Sequence, residues 1–180
     1  FAFTPMSPPH AAELQAGAFS PPRQGPELAH TGSDGEELLL SRYRGKVVVL
    51  GFGFTSCPDV CPTTLAVLAQ ARKQLGAQGQ DMQVVYVTVD PERDTPERMR
   101  KYLSTFDPTF MGGTGAAERL ATVRKQYGIA AEKKMYGENY SVAHSSYTYL
   151  IDRAGRLRAL MPYGSKPDDY VHDVGILLAE

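Results

Sequence analysis

Cys57 and Cys61 are the only thiols in the chain, four residues apart in Thr55-Ser56-Cys57-Pro58-Asp59-Val60-Cys61-Pro62. A hydrophobic run precedes them and a helical pattern follows. The pair therefore sits at a strand-to-helix turn, where soft-metal binding and redox chemistry are both feasible. If both lie near the first helical turn, a rise of about 1.5 Å per residue puts their Cα atoms roughly 6 Å apart. A disulfide bridges about 4.4–6.8 Å, so the pair can close when oxidised or open and hold a metal when reduced. A helix N-terminus lowers a thiol pKa, and the thiolate is both the nucleophile and the metal ligand. The plainer reading is a structural disulfide, but a staple across so short a loop gains little.

Two thiolates fall short of a structural zinc site, which usually takes about four N or S ligands. Two thiolates with one imidazole suit a soft ion of low coordination number, Cu(I) above all. A third ligand must then be brought to the turn by the fold, and the elements say which residue arrives there.

Lys46–Phe54 is nearly all apolar and rich in β-branched residues, as in a central strand buried on both faces. After the cysteines, Leu65, Leu68, Arg72 and Leu75 give helical spacing that ends near Gly76. Val84–Val89 is a second buried strand. Met99, Tyr102, Leu103 and Phe106 repeat at helical intervals behind Asp94-Thr95-Pro96-Glu97, a helix start with Asp94 as its cap. Glu118–Tyr127 is a third helix stopped by Gly128. Gly137–Ser146 reads as a polar loop containing His144. Tyr147–Asp152 and Arg156–Met161 form a hairpin, and Tyr170, Val171, Val174, Leu177 and Leu178 stripe a last helix. Upstream, Thr31-Gly32-Ser33-Asp34-Gly35 is a hairpin turn between Glu27–His30 and Glu37–Leu40. Residues 1–18 read as a flexible N-terminal segment and 19–180 as one domain, without internal repeat.

This order argues an α/β fold, a central mixed sheet flanked by helices with an N-terminal β-hairpin extension. A strand, a cysteine turn and a helix, closing on a β-hairpin and a helix, is the thioredoxin-like arrangement. If the strand from Tyr147 pairs antiparallel with Lys46–Phe54, its start lies beside the end of that strand. His144 just precedes that start and so reaches Cys57 and Cys61, although 83 positions separate it from Cys61.

The chain has 180 residues and a formal net charge of −1, without a basic block, which argues against nucleic-acid binding. It has no apolar run of the about 18 residues a spanning helix needs and no visible signal peptide. It opens Phe1-Ala2-Phe3-Thr4 without an initiator Met, as a processed or truncated product would. Two cysteines alone do not fix a redox compartment.

Taken together, the cysteine motif, Gly45-Lys46-Val47, Asp90-Pro91-Glu92-Arg93-Asp94-Thr95-Pro96, His144-Ser145-Ser146 and Tyr149-Leu150-Ile151-Asp152 resemble the Sco/SenC family of copper-binding assembly proteins for cytochrome oxidase. Phe19-Ser20-Pro21-Pro22 resembles that family's lead-in to its core. The resemblance implies a thioredoxin-like domain in the bacterial periplasm, tethered to the inner membrane by an anchor that this sequence does not show. It implies copper, as Cu(I) and also Cu(II), held by Cys57, Cys61 and His144. The implied partner is cytochrome c oxidase subunit II at its dinuclear copper (CuA) site. A second periplasmic copper chaperone or a thioredoxin-like reductant would be further partners.

Metal delivery makes the chain a metallochaperone rather than an enzyme. Its first rival is a thiol–disulfide reductase that keeps the CuA-site cysteines reduced, with Cys57 and Cys61 as its redox pair. The spacing, one residue longer than C-x-x-C, counts against a general oxidoreductase. A peroxidase of the same fold fits worse, since Thr55-Ser56-Cys57 replaces T-x-x-C. A copper or redox sensor would use the same ligands and differ only in partner.

Other residues have plainer readings. Asp90 ends a strand and Asp94 caps a helix, with partner or copper-transfer contacts as the alternative. Pro58 and Asp59 shape the turn. Met135 and Met161 are soft donors more at home in packing. Tyr140, Tyr147, Tyr149 and Tyr163 pack around or rim the site. His10, His30 and His172 all have bland readings, and His10 in a tail can bind metal only adventitiously.

Overall fold

The computed structural model describes residues 13–180. The first twelve residues, and with them His10, lie outside the described residues. The centre is the apolar run: β4 (Val47–Gly53) is buried along its whole length. β5 (Met82–Thr88), equally buried, runs parallel to it, and β9 (Thr148–Ile151) antiparallel on its other side. Outward from β9 lie β10 (Arg156–Met161) and β1 (Gly17–Gln24). Outward from β5 lie β6 (Met111–Thr114), β2 (His30–Gly32) and β3 (Glu37–Leu38), giving eight strands in all.

Strand alternation assigns the helices to faces. Gly51 and Gly53 share a face with Tyr86 and Gly112 through the β4–β5 and β5–β6 registers. Against this face pack α1 (Val60–Gln74), α2 (Pro96–Ser104) and α4 (Pro167–Ala179). The opposite face carries α3 (Ala117–Tyr127), whose Tyr127 ring lies 5.8 Å from Phe52 and 5.3 Å from Tyr149. The result is the thioredoxin-like fold expected from the element order.

Three segments differ from the sequence reading. The stretch expected as a polar loop is a hairpin, β7 (Ala131–Tyr136) and β8 (Asn139–His144), turning at Gly137 with φ +63°. It forms a two-stranded sheet of its own, and Val142 is its one buried side chain. With almost no apolar face its strands gave little hydrophobic alternation to read. β6 escaped notice because its centre is Gly112-Gly113. A Cβ at Gly112 would stand 2.9 Å from Met99 Cβ, so glycine is what lets α2 lie against the sheet. β1 carries Pro21 and Pro22, tolerated because it is an edge strand.

Asp94 does not cap α2. Thr95 does, accepting the Arg98 N–H at 3.2 Å, while Asp94 turns into the interior with no exposed surface.

Candidate metal centre

α1 begins one residue before Cys61, so Cys61 is buried in its first turn while Cys57 lies half-exposed in the preceding loop. Asp59, at the N-cap, offers α1 no side-chain hydrogen bond. The Cys57 sulfur takes that role and accepts the Cys61 backbone N–H at 3.4 Å. The two cysteines are free thiols.

His144 ends β8, and its Nε2 stands 3.4 Å from Cys61 Sγ. Its Nδ1 lies 2.8 Å from the Ser145 carbonyl, which can only accept. In a neutral ring Nδ1 therefore carries the proton, and Nε2 turns its lone pair toward the sulfurs. The Phe54 ring meets His144 edge-on, 5.9 Å between centroids. The donor atoms of Cys57, Cys61 and His144 all lie within 4.8 Å of one another.

Their electrostatics are unequal. The hydrogen bond from the Cys61 thiol, with those from the backbone N–H groups of Cys61 and Asp59, brings the Cys57 thiol from 9 down to about 4, with burial opposing. Cys61 moves the other way, far above the ordinary thiol range, because it donates to Cys57 and is buried. At neutral pH the pair holds one half-exposed thiolate and one buried thiol.

Two side chains that the sequence reading passed over complete the surroundings. Tyr86 is buried against Cys61, and a Cβ on Gly53 would stand 2.1 Å from its Oη and 2.7 Å from Cys61 Sγ. The Gly51-Phe52-Gly53 spacing in a central strand was the available sign, since paired glycines leave room for a large ring on the next strand. Arg98 donates from Nε to Thr55 Oγ1 at 2.8 Å and from Nη2 to Ser56 Oγ at 2.9 Å.

The acidic segment braces the loop. Asp94 accepts the Thr55 N–H at 3.0 Å, the Thr55 hydroxyl at 2.5 Å and the Thr88 hydroxyl at 2.7 Å, tying the cysteine loop to the end of β5. Asp90 accepts from Arg93 Nε and from Tyr140 Oη.

The remaining candidates are placed elsewhere or in other roles. Met161 is buried in β10, and Met135 is exposed on β7. Tyr149 packs in the core beneath α3, Tyr147 is half-buried and Tyr163 is exposed. His30 is buried in β2, and His172 Nδ1 pairs with Asp173 on α4 at 2.8 Å.

Comparison with known proteins places the chain in a family. A SCO2-like protein of Rickettsia prowazekii is 37% identical over 126 residues, 68% of this chain and 62% of that protein's length. The chain thus spans about six-tenths of that relative. The structure of Bradyrhizobium japonicum ScoI with copper bound superposes with a TM-score of 0.80 at 32% identity, covering 86% of this chain and 99% of that one. A SCO1/SenC family lipoprotein from Bacillus anthracis superposes with a TM-score of 0.77 at 28% identity, covering 88% and 98%. The SCO1/SenC pattern matches residues 20–179, and the chain belongs to that family.

Proposed function

We propose that the chain binds copper through Cys57, Cys61 and His144 and delivers it to the CuA site of cytochrome c oxidase subunit II. The convergence of two free thiols and one lone-pair nitrogen within 4.8 Å carries the reading. The donor set fits copper. Two sulfurs and an imidazole match Cu(I), and the same nitrogen serves Cu(II). Among the described residues no fourth His, Cys, Asp or Glu joins the group, as a structural zinc site would require.

Copper is cargo here, and each ligand has a task. Cys57 is already a thiolate, while Cys61 must release its proton as the metal arrives, so binding acidifies the medium. His144 is held in the tautomer that leaves Nε2 free by its Nδ1 contact to the Ser145 carbonyl. Release would begin at Cys57, the half-exposed ligand, where an incoming cysteine thiolate of the partner replaces one copper–sulfur bond with another and leaves the oxidation state unchanged.

The domain would work in the periplasm, tethered to the inner membrane. Its family and the similarity to a bacterial lipoprotein support the tether. Among the described residues no helix is long and apolar enough to cross a membrane.

One observation favours a second reading, a thiol–disulfide reductase. Cys57 is a half-exposed, low-pKa thiolate backed by a buried thiol, the division of labour of an attacking and a resolving cysteine. Mixing copper-loaded protein with copper-free, reduced subunit II domain and counting copper after separation tests the proposal. Delivery predicts transfer to subunit II from the wild type and little from Cys57→Ser or Cys61→Ser. Copper that stays behind, with the copper-free protein still reducing an oxidised subunit II, would assign the reductase role.

A further inference from the structure

We propose that Arg93 is the positioning residue of His144, a latch that docks the β7–β8 hairpin and so sets how far the histidine stands from the cysteines. This rests on His144 as the third copper ligand.

The two arms of the site come from separate parts of the fold. The cysteine arm extends from the central strand β4, buried along its whole length. The histidine arm is a two-stranded sheet that, among the described residues, has no strand pairing to the main one. Such a hairpin is marginal alone, and with only Val142 buried it has little apolar surface to hold it in place. At its base the Ser145 N–H donates to the Ala130 carbonyl at 3.0 Å and the Ala130 N–H to Ser145 Oγ at 3.1 Å. Its middle is held by side chains of the acidic segment.

Arg93 is central to those contacts. Its Nε donates to Asp90 at 2.5 Å and its Nη1 to the Tyr140 carbonyl on β8 at 3.2 Å. The guanidinium lies 3.9 Å from the Tyr140 ring centroid, within cation–π range, and 5.9 Å from the Phe54 ring. Phe54 is the ring that His144 rests against edge-on. Tyr140 closes the circuit by donating from Oη to Asp90 at 2.7 Å. Beside it Lys133 on β7 pairs with Glu92 at 3.1 Å and lies 4.0 Å over the same ring.

One five-residue segment therefore touches both arms, Asp94 on the cysteine side and Asp90 with Arg93 on the histidine side. Arg93 suits the task because its planar fork reaches a carboxylate and a carbonyl while its face stacks on a ring.

The test is a double-mutant cycle on the reduced protein, reading Cu(I) affinity by competition with a chromophoric chelator. Arg93→Met should weaken Cu(I) binding by roughly tenfold or more, the usual scale for a lost outer-shell support. Arg93→Lys, which keeps the charge over Tyr140 but loses the fork, should recover part of that. In a His144→Ala background Arg93→Met should add no more than about a twofold change, since the latch acts only through the histidine. Equal losses in both backgrounds, or no loss in either, would overturn the proposal.

Hydrogen exchange on the copper-free protein supplies the second readout. Arg93→Met should speed exchange of β7–β8 amides and leave those of β4 and α1 unchanged. Uniform acceleration would make Arg93 a general stability residue and refute the latch. If His144→Ala alone left Cu(I) affinity intact, the ligand reading would fail, and exchange would still decide whether Arg93 docks the hairpin.

Discussion

Cys57 and Cys61 are the same residue type in one motif, yet the fold drives their titration in opposite directions. Cys57, brought to about 4 by the hydrogen bonds it accepts, stays thiolate as pH falls from the ordinary thiol value of 9 until it nears 4. Cys61, raised by donating to Cys57 and by burial, keeps its proton throughout that window. Alkylation of the reduced protein, read by peptide mass spectrometry, should therefore label Cys57 at a nearly constant rate between about pH 5 and 8 and leave Cys61 unlabelled. An ordinary exposed thiol would instead gain about tenfold in rate per pH unit below its pKa, and that profile would refute the assigned asymmetry. The asymmetry was only half legible in sequence. The motif announces two thiols at a helix start, but not that Asp59 leaves the helix uncapped by its side chain and the Cys57 sulfur takes that place. Arg93 is out of reach for a related reason, since it acts across the gap to a separate sheet that no local pattern encodes, while Tyr86 left only the indirect sign of Gly51 and Gly53 on the neighbouring strand.

At the scale of elements, the acidic segment Asp90–Asp94 replaces the simple helix cap that its sequence suggested. Asp94 had the composition of a cap, but Thr95 fills that position and frees Asp94 to hold Thr55 and Thr88. Asp94→Ala would leave buried donors on β5 and the cysteine loop without a partner. The expected loss is on the order of 1–3 kcal/mol in denaturant unfolding, with looser copper binding because Thr55 begins the loop that carries Cys57. A change within about 0.5 kcal/mol, as at ordinary surface sites, would contradict the brace. The strands that announced themselves were β4, β5 and β9, buried on both faces, and β10, with its alternating burial. β1, β6 and the β7–β8 hairpin stayed hidden because edge prolines, paired glycines and a largely polar surface erase the hydrophobic period.

At the scale of the molecule, topology turned distant residues into neighbours. The antiparallel pairing of β9 with β4 brings His144 to the cysteine turn across 83 positions. That approach was readable from the order of strands alone, even though the segment carrying His144 was taken for a loop. What the order could not convey is that the histidine arrives on a separately docked sheet, whose position depends on side chains rather than on ladder hydrogen bonds. A site assembled from one rigid arm and one docked arm suits a carrier. On the proposed reading the hairpin can shift His144 while β4 and α1 stay fixed, easing the release that begins at Cys57.

A copper titration of the reduced protein, wild type beside His144→Ala, with thiols counted at each point, tests the three-ligand site most directly. The site predicts one copper per chain in the wild type, protection of both Cys57 and Cys61 as copper fills, and weaker binding without His144. Binding that is absent or indifferent to His144, with a freely cycling Cys57–Cys61 disulfide, would contradict it.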